Sequence, residues 1–386
     1  MSAAAPKVYG WCPGALRPMM SGDGLVVRVR APLGRLTPEQ ARGLAELSQA
    51  HGNGLLDISA RANLQLRGIR EGAYEALLDG LHGLGLLDPD ARAEARRNLV
   101  VQPFWQAGDE THAIATALNA ALADAENLDL PGKFGFAVDC GPAPLLRDAS
   151  ADIRIERGPE RLILRADGAE AGLPVTAGTA TEAALALARW FLDQGGAPEG
   201  RGRMHRLIAR RGPPPAHGAD RGSPAPQPAP GPAAGGILAA LEFGQMPAAT
   251  LAQLADHGSL RLTPWRMLLA EGTGHLPSLP GLILDATDPR LQVTACTGAP
   301  GCLQALSATR ALARDLAPGL PAGTRLHVSG CAKGCAHPGP APLTLTATGR
   351  DDFALIRNGS AADAPLKTNL SARALRAAPT ILTEGS

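Results

Sequence analysis

Hydrophobic and polar positions follow two different periods in the N-terminal part of the chain, which predicts a mixture of strands and helices. Residues 25–30 alternate as in a strand, and this alternation places Arg28 and Arg30 on one face. The sequence T-P-E-Q at 37–40 is a capping box with proline at the first helical position. It predicts a helix that buries one apolar side and ends near Gly52 at His51-Gly52.

Two more strands and a second helix are predicted after this helix. The strands lie at 55–59 and 64–67, and the helix lies near 74–84. The order strand, helix, strand, strand, helix is typical of a ferredoxin-like α+β half-domain.

A second unit begins with the strand R-N-L-V-V at 97–101. It continues with a helix near 113–125 and a strand at 133–139. A hairpin over 153–165 and a helix near 182–194 complete it. This mixture predicts a separate α/β domain.

A segment rich in proline and glycine follows at 212–236. Proline lacks a backbone donor and fixes its own backbone, and the segment has few apolar side chains. We therefore expect a semi-rigid linker that forms neither a ladder nor a core.

After this linker the chain repeats the earlier pattern. The strand–helix–strand pattern of 25–66 returns at 241–269, and R-L-Q-V-T-A-C at 290–296 echoes R-N-L-V-V-Q-P at 97–103. The repeats predict a tandem duplication, A–B–linker–A′–B′, packed about a pseudo-two-fold axis with a large site at the seam. The predicted domains are the ferredoxin-like half-domain A at 1–92, domain B at 93–211, the linker at 212–236, half-domain A′ at 237–289 and domain B′ at 290–386.

Four cysteines in B′ suggest a metal centre. They form C-x5-C (Cys296, Cys302) and C-x3-C (Cys331, Cys335), each in a glycine-rich turn after a β-like run. Thiolates suit iron and sulfide, and four of them complete the corners of a cubane cluster, so the pattern favours an iron–sulfur centre. A zinc site, which more often has C-x2-C or C-x4-C pairs, and disulfides are the alternatives. Cys140 falls near Cys331 when B is overlaid on B′, and we interpret it as a relic.

Charge and composition exclude several classes of partner. The formal net charge is +1 and aromatic residues make up 3% of the chain, so neither nucleic acid nor an anionic membrane surface is indicated. No apolar run reaches the roughly 18 residues of a membrane span. The start, M-S-A-A-A-P-K, has no signal-peptide pattern. Because clustered free cysteines fit a reducing compartment, we expect a cytoplasmic protein.

The order A–B–A′–B′ and the cysteine pattern resemble the sulfite and nitrite reductase hemoprotein family, over nearly the whole chain apart from the linker. This resemblance implies a 4Fe–4S cluster on the four cysteines. It also implies a carboxylate-rich macrocycle between the halves, held by arginines and lysines. By motif, Arg28 or Arg30 matches the arginines of the family's R-x-R-x-P-x-G sequence, and Arg61 matches the arginine of its T-T-R-Q-like turn, which reads S-A-R-A here. Arg97 matches the arginine of the family's R-N-V sequence, and Lys133 matches the first lysine of its K-F-K sequence.

Two departures separate the chain from those reductases. Gly135 replaces the second lysine of K-F-K, which looks like a proton donor there, and Lys333 replaces the usual asparagine between the last two cysteines. With C-P-G-x-L-R-P-M-x-S-G-D-G and L-T-P-W-R, these features resemble the precorrin-3B synthases, a branch of the same family. That resemblance implies a monooxygenase that uses dioxygen and reductant to hydroxylate precorrin-3A at C20 and close a γ-lactone. A mononuclear non-haem iron is associated with that branch.

Two other functions compete with this interpretation. One is a siroheme-dependent sulfite or nitrite reductase, and siroheme is expected as a cofactor only in that case. The other is a non-catalytic carrier of a tetrapyrrole or a cluster. Extractable siroheme would indicate the reductase, and binding of precorrin without product would indicate the carrier.

A substrate with many carboxylates requires charge-assisted hydrogen bonds, for which the forked guanidinium group of arginine is suited. For each candidate basic residue the competing explanation is a structural ion pair.

No dinucleotide-binding fingerprint is present, since G-L-G at 83–85 lacks a third glycine and a preceding strand. We therefore expect an external ferredoxin or NAD(P)H-linked reductase as electron donor. No ligand set for a mononuclear iron is recognisable by spacing. The candidate substrate-binding residues are Arg28, Arg30, Arg61, Arg97, Lys133, Arg266 and Lys333.

Overall fold

The computed structural model describes residues 13–383 of the 386-residue chain. Cys12, which opens the C-P-G-x-L-R-P-M motif, and the start of the chain lie outside the described residues. Within the described range, no helix is both long enough and apolar enough to cross a membrane.

The first unit is built as its sequence predicts. The hydroxyl of Thr37 accepts a hydrogen bond from the amide of Gln40, and the Gln40 side chain accepts one from the amide of Thr37, so the predicted capping box is confirmed. The elements are β1 (Met19–Ser21), β2 (Gly24–Val29), β3 (Arg35–Leu36), α1 (Pro38–His51), β4 (Leu55–Ile58), β5 (Leu64–Ile69) and α2 (Tyr74–Gly83).

The second unit contains a sheet whose first three strands are parallel and whose remaining strands are antiparallel. Its core includes the fully buried rings of Phe134, Phe136 and Phe191. The elements are α3 (Ala91–Arg96), β6 (Leu99–Val101), α4 (Glu110–Asp124), β7 (Phe136–Asp139), β8 (Ile153–Arg157), β9 (Leu162–Ala166), β10 (Ala171–Val175), α5 (Ala180–Asp193), α6 (Met204–Arg211) and β11 (Ala219–Asp220).

The second half of the chain repeats both units. The third unit consists of β12 (Gly231–Ala233), β13 (Gly236–Leu241), β14 (Gln245–Pro247), α7 (Ala248–Leu254), β15 (Leu260–Leu262), β16 (Met267–Glu271) and β17 (Leu282–Ile283). The fourth consists of β18 (Val293–Ala295), α8 (Arg310–Leu316), β19 (Leu326–Ser329), β20 (Ala341–Gly349), β21 (Asp352–Gly359), β22 (Lys367–Ser371) and α9 (Ala372–Ala377).

The two halves have matching strand orders, as a duplicated α+β fold requires. The first sheet is ordered β1-β2-β5-β4-β14 and the third β12-β13-β16-β15-β3. Each half therefore gives one short edge strand to the other, because β14 pairs with β4 and β3 pairs with β15. The apolar faces of both sheets share one hydrophobic core. This reciprocal exchange is the arrangement expected of two halves packed about a pseudo-two-fold axis.

The expectation that residues 212–236 form no ladder is wrong. β11 pairs with β10 through Ala219 and Asp220, and β12 pairs with β13. Both are very short strands at sheet edges, where a proline such as Pro232 can lie without interrupting an inner ladder. The segment thus runs along the surfaces of the units that it connects.

Candidate metal centre and the basic residues around it

The four cysteines lie in two loops that begin at the ends of neighbouring parallel strands. β18 and β19 are paired, with Ala295 opposite Val328. Cys296 follows β18 directly, and its amide donates to the oxygen of Val328 at 3.0 Å. Because parallel strands end at the same edge of a sheet, both cysteine loops start side by side.

The thiols of all four cysteines are close enough to affect one another's charge. Burial raises the pKa of the Cys335 thiol to about 11 although part of the residue faces solvent. Lys333 opposes this rise, whereas Cys296, Cys331 and Cys302 add to it. All four are free thiols. The disulfide alternative is therefore not supported.

Nearby backbone and side-chain groups are suited to sulfur ligands. The amide of Ala336 donates to Sγ of Cys296 at 3.4 Å, and Oγ of Ser329 and Nε2 of His327 lie 3.5 Å and 3.6 Å from the same sulfur. Such contacts around cysteine sulfur set the potential of an iron–sulfur cluster. Four clustered thiols with amide donors fit a cubane cluster.

A single-ion site has less support. Among residues 13–383, no three His, Cys, Asp or Glu side chains converge on one ion position. A cubane cluster spreads its ligands over four corners, so its cysteines stand farther apart than the ligands of one ion. Burial, followed by the charges of His337 and Arg266, lowers the pKa of His327 to about 4, so this ring is neutral at physiological pH. The mononuclear iron remains a prediction without assigned ligands.

Arg266 and Lys333 lie beside the cysteines. Nη2 of Arg266 donates to the oxygen of Ala336 at 2.7 Å. Burial lowers the pKa of this arginine, and Cys296 partly offsets the effect. The positive charge of Lys333 lowers the pKa of Cys335. Both predicted cations are therefore close to the candidate cluster, where Arg266 also holds the loop that carries Cys335.

Contacts from the first half hold the other cysteine loop, and the sequence motifs did not identify them. The hydroxyl of Ser21 and the guanidinium of Arg67 both donate to the oxygen of Gly301 at 2.6 Å, one residue before Cys302. Ser21 belongs to the S-G-D-G part of a motif that had been noted only for its resemblance. No local signal marked Arg67, whose partner is distant in sequence.

Arg61 and Lys133 are brought together. Nη2 of Arg61 donates to the main-chain oxygen of Lys133 at 2.8 Å and to the hydroxyl of Ser150 at 3.1 Å. The half-buried Lys133 makes no side-chain hydrogen bond or ion pair with any residue of the described range. Its ammonium group is therefore available to an anion.

The remaining three candidates are buried and already have protein partners. Arg28 donates twice to Oε1 of Gln65, at 2.6 Å and 3.1 Å. Nη1 of Arg30 lies 3.0 Å from the carboxylate of Glu94. Burial is the main cause that lowers the pKa of Arg30, and the charge of Glu94 opposes it. For both residues a role in substrate binding remains a prediction.

Arg97 is the most firmly paired of the three. Its Nε and Nη2 donate to both carboxylate oxygens of Asp88, at 2.7 Å and 2.9 Å, and Nη2 also donates to the oxygen of Arg30 at 3.1 Å. The structural explanation, an internal ion pair, accounts for these contacts. Its role in substrate binding also remains a prediction.

Gly135 has no room for a side chain. A Cβ atom there would lie 2.8 Å from Nδ2 and 3.0 Å from the oxygen of Asn98. Asn98 is buried, and its Nδ2 donates to the oxygen of Phe134 at 2.8 Å, so it cannot easily move. The second lysine of the reductase motif could therefore stand here only if Asn98 moved and its bond to Phe134 changed.

Comparisons with known proteins agree with this architecture. Residues 17–84 match the family model of the nitrite/sulfite reductase ferredoxin-like half domain. The structure of the Mycobacterium tuberculosis NirA protein aligns over 92% of this chain and 79% of that protein with a TM-score of 0.65. Its sequence identity is 20%, so this likeness concerns the fold alone. It confirms the predicted fold class.

A curated relative is similar over most of both chains. A precorrin-3B synthase from Sinorhizobium sp is 30% identical over 390 aligned positions, which cover 92% of this chain and 84% of the relative. Together with the duplicated fold and the clustered cysteines, this similarity decides the family. The chain is therefore an enzyme that belongs to the precorrin-3B synthase family and has the fold of the nitrite and sulfite reductases.

Proposed function

We propose that this enzyme converts precorrin-3A to precorrin-3B in aerobic cobalamin biosynthesis. In this proposal it hydroxylates C20 with dioxygen, and the ring-A acetate closes as a γ-lactone. The observation that carries the proposal is the convergence of Cys296, Cys302, Cys331 and Cys335 in one place, with basic residues from both halves around them. The name of the Sinorhizobium relative supports the same reaction.

The basic residues are assigned to the carboxylates of the substrate. Lys133 is the first choice, because its ammonium group has no partner in the described range and Arg61 holds its backbone. Arg266 and Lys333 lie on the side of the cysteines. Arg28, Arg30 and Arg97 lie close to one another and are also assigned to substrate carboxylates, although each already has a protein partner. Charge-assisted hydrogen bonds from several such groups would orient a polycarboxylate.

A 4Fe–4S cluster on the four cysteines would supply single electrons to the site. Hydroxylation places one atom of dioxygen in the product, and the other leaves as water with two electrons and two protons. The electrons must come from outside the chain, and we assign this role to a ferredoxin or an NAD(P)H-linked reductase. Because free cysteines of this kind require a reducing compartment, we place the reaction in the cytoplasm.

Nothing at Gly135 favours sulfite or nitrite reduction. Those reactions need a supply of protons at the substrate, and the second lysine that resembles a proton donor in the reductases is missing. Asn98 also blocks the space where it would begin. A monooxygenase can operate without that lysine.

The first experiment is an anaerobic purification followed by optical spectroscopy and acid–acetone extraction of pigment. We expect cluster absorbance without a siroheme band. Addition of precorrin-3A, reductant and isotopically labelled dioxygen should then yield precorrin-3B with one labelled oxygen atom.

Two results would contradict this proposal. Siroheme in stoichiometric amount would assign the protein to the reductases. Tight binding of precorrin-3A without product under any electron supply would indicate a carrier instead of a monooxygenase.

A further inference from the structure

Four charged side chains form an alternating row between the two halves. The carboxylate of Asp23 binds Arg67, with Oδ1 at 2.7 Å from Nη2 and Oδ2 at 3.1 Å from Nε. Nε of Arg67 lies 3.7 Å from Asp57, whose Oδ1 accepts a hydrogen bond from Arg310 at 3.1 Å. Asp23, Arg67 and Asp57 belong to the first half, and Arg310 begins α8 in the second. We call these residues the ion-pair row.

The row contacts the Cys296–Cys302 loop at one end, and the chain neighbour of one row member contacts the other end. At one end Arg67 donates to the oxygen of Gly301 at 2.6 Å. At the other end the hydroxyl of Thr309, the neighbour of Arg310, donates to the oxygen of Cys296 at 2.6 Å. Arg67 and Thr309 therefore hold opposite ends of the loop.

The first half also contacts this loop backbone to backbone. A Cβ atom at Gly22 would lie 1.9 Å from the oxygen of Pro300 and 3.2 Å from the amide of Cys302. The turn between β1 and β2 therefore requires glycine at this position, and a larger residue would push the loop away.

The loop has no regular secondary structure, although the amide of Cys302 donates to the oxygen of Gly298 at 2.9 Å. Residues 297–302 form no helix or strand, and they include Gly298 at φ +73° and Gly301. Glycine has more conformational freedom to lose than any other residue, so a fixed position depends on bonds from outside the loop. Ser307 and Thr309 supply such bonds from the second half, whereas the two side-chain donors to Gly301, next to Cys302, come from the first half.

We propose that the ion-pair row positions Cys302 for the cluster and that Arg67 also tunes the cluster electronically. This inference rests on the cluster in the proposed function. Arg67 is a positioning residue, because it acts through the backbone of Gly301. Its positive charge favours the reduced, more negative form of a nearby cluster. Removing it leaves the negative charge of Asp23 without its cationic partner, with only Asn53 still donating to it, and should lower the midpoint potential.

The chain contains a matched control in the second unit. Arg165, like Arg67, is buried, with its Nε 2.7 Å from the carboxylate of Glu156 and its Nη1 3.0 Å from the oxygen of Ala169. It therefore binds one carboxylate and one carbonyl in a sheet that has no cluster cysteines. A merely structural effect of losing a buried arginine should be similar in both places.

The experiment compares Arg67→Met and Arg165→Met with the wild-type chain after anaerobic purification. The rate of cluster loss to an iron chelator is followed by visible absorbance, and the midpoint potential is measured by redox titration with EPR. We expect Arg67→Met to lose its cluster about ten-fold faster or more, as removal of charge-assisted hydrogen bonds suggests, and to have a lower potential. Arg165→Met should match the wild type in both respects.

Milder variants keep the inference testable if Arg67→Met does not fold. Compared with Arg67→Met, Arg67→Lys should bring the midpoint potential closer to the wild-type value than the cluster lifetime. Lysine keeps the positive charge but lacks the forked guanidinium group that binds Asp23 and Gly301 together. Ser21→Ala removes the second donor to Gly301 and a 3.4 Å acceptor for Arg67, and it should speed cluster loss a few-fold.

The outcomes separate this inference from the proposed function. A wild-type chain that never takes up iron and sulfide overturns both. If the wild type holds a cluster and Arg67→Met, or Arg67→Lys where Arg67→Met does not fold, matches Arg165→Met in both cluster lifetime and potential, only the role of the ion-pair row is overturned.

Discussion

Arg61 donates a hydrogen bond from Nη2 to the main-chain oxygen of Lys133 at 2.8 Å. The two residues come from different sequence motifs, and each was a candidate for substrate binding. The bond shows that Arg61 fixes the backbone at Lys133, while the Lys133 ammonium group has no partner in the described range. Lys133 is therefore better placed than Arg61 to bind a carboxylate directly.

Lys133→Gln should raise the KM for precorrin-3A about ten-fold, because one charge-assisted hydrogen bond to substrate is lost. The cluster absorbance and the thermal midpoint should not change, since the side chain has no hydrogen bond or ion pair in the described range to lose. Steady-state kinetics would measure the effect. Lys367→Gln, in the strand β22, is the control for loss of a lysine charge elsewhere; its Nζ donates to the oxygen of Ile381 at 3.4 Å. Equal KM values in the two variants would remove Lys133 from the site.

Arg97→Ala should mainly destabilise the protein. The side chain of Asp88, 9% exposed, would remain buried without its bidentate partner, which typically costs about 3–5 kcal/mol of unfolding free energy. Denaturant unfolding would measure this loss, and the double variant with Asp88→Ala should recover most of it. A normal unfolding free energy together with a raised KM would instead make Arg97 a direct substrate ligand.

Cys302→Ser and Cys335→Ser should each lose the cluster absorbance and the activity together. Cys140→Ser should keep both, because Cys140 is buried in the second unit, 3.9 Å from the oxygen of Ile155, and burial raises the pKa of its thiol to about 12. Iron and sulfide analysis alongside turnover would test this. Activity in a cluster-free variant would show that the reaction does not use the cluster.

Asp139→Asn should change the pH dependence of stability. Burial raises the pKa of Asp139 from 3.8 to about 6, although the amides of Leu145 and Leu146 both donate to its Oδ2 at 2.6 Å. Compared with the unfolded chain, the folded state thus favours the protonated form of the Asp139 carboxyl. The cost of ionisation is absent below pH 3.8 and is complete above pH 6, where it amounts to about 3 kcal/mol.

The neutral amide introduced by Asp139→Asn avoids this cost. The unfolding free energy of Asp139→Asn minus that of the wild type should therefore increase by about 3 kcal/mol as the pH rises from about 4 to about 7. Denaturant titrations at several pH values would show the trend, and effects of the cluster cancel because both proteins contain it. A difference that stays constant across this range would contradict the raised pKa.

The first unit shows how far local reasoning reaches. The capping box at Thr37 and the strands around it were predicted correctly, because hydrogen bonds within a few residues and the period of the apolar side chains determine them. The linker prediction failed for the opposite reason. Proline content argues against an inner strand, but only the position of β12 at a sheet edge shows that a short pairing is tolerated.

The candidate site divides in the same way. The sequence identified the cysteines, Lys133 and Arg266 from their motifs. It could not show that Arg97 is already paired with Asp88, since the two residues lie on either side of α3 and meet only when the chain folds around that helix. It also could not show that Asn98 blocks the space beside Gly135.

By itself the sequence determined the duplicated order of units, the capped helix and the four-cysteine pattern, because these depend on spacing and on bonds between close neighbours. Only the tertiary structure decided which edge strands the halves exchange and which residues hold the Cys302 loop. Arg67 and Gly301 are separated by 234 positions in the chain, and their bond forms only when the two halves pack together. Contacts of that kind depend on three-dimensional proximity, which spacing along the chain does not encode.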